Sequence, residues 1–352
     1  MPEPGLAAVH ALCAAVTPPD PRTARRSQLR QRAQARPPDA LGALDAVAHR
    51  VAGIRRDAAP GPLPAAVSVL AGDHGVARHG TSVYRHGYTA RVLELIRAGH
   101  APVCTLAARV PARVECADVG LCEAVGDQRY KIGTGTGDIT RDAAMTPAQA
   151  VEAVLSGARY ATDRLADAGL LAIGELGVGN TTPAAALTAR LLDTAAADVV
   201  GAGSGVPADV VARKRRLVDV ALARHADVPA GDPLALLAAL GGFEIAGNVG
   251  VILAAAARRQ VVVIDGTMTA VAALLAVRLC PASAGYLVAA HRSTEPAHRA
   301  LLAGLGLDPL LDLGMRLGMA SGATLALSLI NGVLAVAAST PSARSAGLVP
   351  SR

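Results

Sequence analysis

Glu175 stands inside a run that otherwise reads as an anion cradle. In GELGVGNTTPAAAL (174–187) an apolar strand runs into Gly174, Gly177 and Gly179. Asn180, Thr181 and Thr182 offer N-cap groups, and Pro183 suits a first helical turn. A helix N-terminus presents free backbone N–H groups and a partial positive charge, which suits a phosphate and the ribose beside it. That makes Gly177, Asn180 and Thr181 candidate phosphate and ribose contacts. The bland alternative is an ordinary strand-to-helix turn, but an acid serves no purpose in a pure anion site. Glu175 therefore tilts the reading toward chemistry.

A second glycine-rich loop, GAGSGVPADVVARKRR (201–216), precedes another helical pattern. It contributes Gly203, and Lys214 as a point charge for a phosphate. A third, KIGTGTGDIT (131–140), is no more specific. None has the P-loop spacing G-x-x-x-x-G-K-[ST], and none sits in a dinucleotide-binding βαβ unit. His74 and His291 each stand alone at the end of an apolar run, without metal-ligand spacing. No G-x-S-x-G elbow appears. In DLGMRLGMASGATLAL (312–327) Arg316 lies among small residues, yet no residue past Asp312 accepts a proton at neutral pH.

These residues need elements to hold them. From residue 64 onward, short apolar runs end in Gly, Asp or His, and a helical pattern usually follows: 65–75, 112–121, 169–192, 260–279 and 285–306. Strands alternating with helices imply a mainly parallel sheet. Ligands of such sheets bind beyond the C-terminal strand ends, so Asp73, His74, Glu175, Asp265 and His291 are expected to face one crevice. Residues 22–36 read as a basic helix and 40–54 as an amphipathic one.

Composition sets limits. The chain has 352 residues, is 52% hydrophobic and 18% charged, and holds one Phe and no Trp. A large core of Ala, Val, Leu and Ile is implied, and disorder is excluded. The net charge of +6 comes from Arg; with no aromatic residue interleaved in 22–36, the stretch reads as a solvated face rather than a nucleic-acid surface. Five scattered cysteines without a CxxC pair argue against a disulfide framework or a zinc site. Glu3 and Pro4 stand where a leader would carry positive charge. The longest apolar run, 323–338, is shorter than a bilayer span and reads as a core helix. A cytoplasmic protein with no membrane partner is expected.

Taken in order, eight stretches resemble the nicotinate-nucleotide–dimethylbenzimidazole phosphoribosyltransferase family, which makes the lower-ligand nucleotide of cobamides. They are DHGV (73–76), GTGDITRDAAMT (135–146), GELGVGNTTPAAA (174–186), GAGSGVP…ARK (201–214), GGFEIAG (241–247), VVIDGTMTAVAALLA (262–276), AAHRSTEPAH (289–298) and LLDLGMRLGMASGATLAL (310–327). The resemblance implies an α/β fold, a doubly wound, mainly parallel Rossmann-like sheet over 61–304. It adds a smaller helical domain from the chain ends, 1–60 and roughly 305–340, followed by a flexible tail, 341–352. It implies a homodimer and transfer of 5-phosphoribose from nicotinate mononucleotide to a benzimidazole nitrogen, with no cofactor and no metal ion.

By position, Glu175, Gly177, Gly203 and Lys214 resemble the phosphate and ribose contacts, and Asp265 the acid near the reacting centre. The acceptor pocket would hold Tyr84, Arg85, Leu317 and Met319, with Asp73, His74, His291 and Arg316 elsewhere in the crevice. The resemblance also implies a Glu after RLG as general base for the acceptor, and this chain has Met319 there. Arg85, Thr267 and Asn248 depart from the family pattern too. A different aromatic acceptor, or a weakly active subunit of a hetero-oligomer, therefore stands beside the main reading.

Overall fold

The structure, a computed structural model, describes residues 4–85 and 87–348; Glu3 lies outside them. Five strands form one sheet: β1 (Ala65–Gly72), β2 (Ala112–Gly120), β3 (Leu170–Leu176), β4 (Val261–Ile264) and β5 (Leu287–Ala289). Their order is β2-β1-β3-β4-β5, and every pairing is parallel. Each expected strand is present. β1 and β4 are buried along their whole length, as strands covered on both faces must be, which is why their sequences are apolar without alternation. The chain steps from β1 to the β2 edge and then crosses to β3 on the other side. The switch point thus lies between β1 and β3.

Small residues let the covering helices close in. The helix Phe243–Ala257 crosses Pro147–Arg164 so tightly that a Cβ on Gly250 would stand 1.8 Å from the Val154 carbonyl oxygen. The helix Ser321–Ser339 packs over β3 and β4 and against the helix Ala43–Arg55. Its 19 residues and mean hydropathy of 1.7 would suffice, by length and composition alone, to cross a membrane. The helix thus outruns the apolar stretch seen in the sequence, because Ser321, Gly322 and Ser339 extend it.

The chain ends meet. Asp20 caps the basic helix Pro21–Arg32, whose Thr23, Ser27 and Gln31 are buried while Arg22, Arg25, Arg26, Arg30 and Arg32 are exposed. Gln34 Nε2 donates to the Ala337 carbonyl at 2.8 Å. The segment read as a flexible tail is pinned in its described part: Ala35 N donates to Pro341 O at 2.9 Å and Ala343 N to Ala33 O at 2.8 Å. Backbone hydrogen bonds to the N-terminal segment, invisible in a Ser- and Ala-rich stretch, hold it. Residues 349–352 lie outside the described residues.

Candidate active site

Glu175 is the last residue but one of β3, and the chain turns just after Leu176. A Cβ on Gly177 would stand 2.5 Å from the Gly72 carbonyl oxygen, and Gly179 takes φ +85°, so both positions require glycine. The helix Thr181–Leu192 follows with no side chain capping its N-terminus. Asn180 does not serve as the expected cap, because its Nδ2 donates to Glu175 Oε2 instead. Of the first-turn N–H groups, Thr182 N donates to Gly179 O at 3.1 Å and Ala184 N to Asn180 O at 3.0 Å, and Pro183 has none, so the Thr181 N–H is the one left for a ligand.

Lys214, on the helix Ala208–Arg224, is 1% exposed. Its Nζ donates to Thr181 Oγ1 at 2.9 Å and to Gly201 O at 2.8 Å. Burial pulls its pKa below the usual lysine value, against the Glu295 carboxylate, which holds it up. Gly203 N donates to Glu295 Oε1 at 2.7 Å. The Arg316 guanidinium lies against the same loop, 3.0 Å from where a Cβ on Gly205 would be.

The facing wall comes from β4, β5 and the last helix. Asp265 Oδ1 accepts from Ala323 N at 2.9 Å and stands 3.5 Å from His291 Nε2. Burial opposes charge on His291, but the Asp265 carboxylate outweighs it and the pKa is raised. Met319 is buried and lines the wall in a left-handed conformation, φ +57°, followed by Ala320 at φ +59°. Beyond it, Tyr84 and Tyr88 stack with ring centroids 3.9 Å apart.

These walls enclose a cavity of about 470 Å³ at the ends of β3, β4 and β5, large enough to take a nucleotide and an aromatic ring. Glu175, Gly177, Asn180, Thr181 and Gly203 line it, as do Asp265, His291, Arg316, Leu317, Met319 and Tyr84. Four expected residues are not in its wall. Lys214 braces two loops from beneath. Arg85 is exposed beside Tyr84. Asp73 Oδ2 accepts from Cys122 N. His74 turns back to Glu244, Nε2 to Oε1 2.9 Å. Both leave the common crevice because the loop after β2 and the helix Phe243–Ala257 offer them partners. Glu244, Glu295 and Tyr88 were not singled out in the sequence; Glu244 and Glu295 sit in the GGFEIAG and AAHRSTEPAH stretches, the one available signal.

Charge is concentrated here. Burial, then the carboxylates of Glu244 and Asp265, push the Glu175 pKa up to about 8, against the Asn180 hydrogen bond. A group poised near neutrality beside a helix N-terminus and an arginine suits proton transfer next to a bound phosphate.

A family model described as phosphoribosyltransferase matches residues 16–348. The nicotinate-nucleotide–dimethylbenzimidazole phosphoribosyltransferase of Roseiflexus sp. (strain RS-1) is 44% identical over 322 residues, covering 90% of this chain and 91% of that protein. The chain belongs to the nicotinate-nucleotide–dimethylbenzimidazole phosphoribosyltransferase family. A family member of the same name from Deinococcus radiodurans is 44% identical over 330 residues, covering 90% of this chain and 89% of that one. The crystal structure of the Thermus thermophilus enzyme of that name superposes with a TM-score of 0.88 at 36% identity, over 94% of this chain and 100% of that one. The α/β fold and the enzyme class expected from the sequence are therefore those of the family.

Proposed function

We propose that this chain transfers 5-phosphoribose from nicotinate mononucleotide to a ring nitrogen of dimethylbenzimidazole. The carrying observation is one cavity that joins an uncapped helix N-terminus and Arg316 to the buried acids Glu175 and Asp265. The phosphate takes the free Thr181 N–H at the positive end of the helix Thr181–Leu192, with Arg316 as its cation. Lys214 fixes Thr181 and the 201–205 loop rather than meeting the phosphate.

The C1′–N bond to the pyridinium breaks, and nicotinate leaves with the electron pair, so departure needs no proton. Positive charge grows on the ribosyl carbon, and the Asp265 carboxylate stabilises it. The incoming benzimidazole nitrogen forms the new C1′–N bond, and the proton on its other nitrogen must go. Glu175 takes it. Burial, and then Glu244 and Asp265, keep Glu175 protonated at neutral pH, and the cationic ring of the donor offsets the carboxylates' repulsion. Donor binding thus expels the proton and readies the base, a contribution on the order of 10²–10⁴-fold.

A second reading keeps the donor and changes the acceptor. It is favoured by Met319, an apolar and adaptable side chain in the cavity wall. Both readings take the enzyme to be a cytoplasmic homodimer, with the helices of the chain ends as a smaller unit. The test is to incubate the protein with nicotinate mononucleotide and a panel of benzimidazoles, purines and phenols and identify the nucleotides by mass spectrometry. A benzimidazole nucleotide with equimolar nicotinate supports the main reading; a product with only another aromatic replaces it with the second; no product with any acceptor removes both.

A further inference from the structure

His74 and Glu244 form a fully buried pair that no step above uses. Both side chains are 0% exposed, with Nε2 and Oε1 2.9 Å apart. Glu244 Oε2 and His74 Nδ1 are buried, and neither has a hydrogen-bond partner among the described residues. Such a pair, desolvated and half satisfied, is a poor way to stabilise a core; apolar groups of the same volume serve as well or better. The chain nevertheless makes room for it. A Cβ on Gly242 would stand 2.5 Å from His74 Cε1 and 2.6 Å from Glu244 Oε2, and one on Gly72 would stand 3.0 Å from the same Oε2.

The pair lies directly behind the donor site. His74 Nε2 is 3.2 Å from where a Cβ on Gly177 would be, beneath the turn that leads to the helix N-terminus. Asn248 Nδ2 donates both to the Glu244 carbonyl at 3.0 Å and to the Gly174 carbonyl at 3.1 Å, tying the start of Glu244's helix to the residue before Glu175. The groups facing Glu175 are Glu244 from that helix, Asp265 from the end of β4 and Asn180 from its own turn. Those facing His74 are Glu244 and Asp73.

We propose that His74 and Glu244 are a positioning pair that acts through Glu175, setting the place and the charge of its carboxyl group from behind the strand ends. His74 supplies the countercharge that faces Glu244 at 2.9 Å in a fully buried place. Glu244 in turn supplies the repulsion that holds a proton on Glu175 until a cationic donor arrives. The step at which this matters rests on the assignment of Glu175 as base; the coupling itself does not. Two features support it: burial opposes charge on His74, yet Glu244 and Asp73 raise its pKa, and Glu244 is the first charge acting on Glu175 after burial.

The experiment titrates the full chain labelled with ¹³C at glutamate carboxyls, with Glu175→Gln identifying the Glu175 resonance. In Glu244→Gln the Glu175 midpoint is expected to fall by roughly one pH unit, the usual effect of removing one nearby like charge. The pH limb of nicotinate release is expected to move down by the same amount. His74→Gln, the second variant should the first fail to fold, removes the histidine side of the pair, and the Glu175 midpoint is again expected to shift. An unchanged midpoint in whichever variant folds overturns the proposal, even if the denaturation midpoint drops, because a merely structural pair lowers stability without moving the titration. A midpoint that moves in a protein that releases no nicotinate keeps the pair and overturns the proposed reaction instead.

Discussion

Lys214 Nζ stands 2.9 Å from Thr181 Oγ1 and 2.8 Å from the Gly201 carbonyl, so one buried ammonium joins two loops that line the same cavity. Lys214→Ala leaves a hydroxyl and a carbonyl without their donor. A loss of about 1–3 kcal/mol in unfolding free energy is expected, together with a rise in KM for nicotinate mononucleotide larger than the fall in kcat. Lys214→Arg does not rescue, because a planar fork cannot replace a compact ammonium in a closed site. Urea denaturation and steady-state kinetics check this; an unchanged KM in the Ala variant contradicts it.

Glu175 links stability to pH. Its folded pKa, about 8, lies above the usual carboxyl value. The folded state therefore holds its proton more tightly than the unfolded chain, and stability falls as pH rises between the unfolded value near 4.5 and about 8. Glu175→Gln removes this loss. Unfolding measured at pH 5, 7 and 9 is expected to show the Gln variant gaining on wild type as pH rises. A constant difference across that range refutes the assignment.

Met319→Glu places a carboxyl near Glu175, whose Oε1 is 3.4 Å from where a Cβ on Gly318 would be. Transfer to dimethylbenzimidazole is expected to rise by roughly 10- to 100-fold above pH 8, within reach of an added general base. Stability is expected to fall, because the new acid joins Glu175 and Asp265 in a buried site. An acceptor-panel assay in which Met319→Glu lowers transfer at every pH counts against a benzimidazole-shaped pocket.

Tyr84 and Tyr88 stack at the cavity wall with an interplanar angle of 10°. Removing one ring by Tyr84→Ala deprives an aromatic acceptor of a stacked pair worth about 0.5–1.5 kcal/mol. The acceptor KM should rise roughly two- to tenfold by that figure, while the donor KM stays put. A change confined to the donor would place the pair at the other end of the cavity.

Much of this molecule is legible in its residues. The inner strands announce themselves, because a parallel sheet buried on both faces leaves apolar runs without alternation; the edge strand β2 carries Arg113, Glu115 and Asp118 and is half-buried over its first five residues, yet its start and end are still readable. The Glu175 turn is legible because glycine and a strand-to-helix switch have few other uses. The rest depends on contacts between distant segments. Nothing in an arginine-rich helix says that Lys214 turns inward. Nothing in DHG says that His74 turns away from the crevice toward Glu244, 170 residues on. Asn180 has the side chain of a helix cap, and only the position of Glu175 five residues earlier diverts it.

The measurement closest to the central claim is nicotinate release from nicotinate mononucleotide by wild type and Glu175→Gln, with and without dimethylbenzimidazole, from pH 6 to 9. The account predicts acceptor-dependent release in wild type that rises with pH. In Glu175→Gln it predicts release lower by about 10²–10⁴-fold, as for loss of a general base, and without that rise. Equal rates and the same pH profile in both proteins would contradict it.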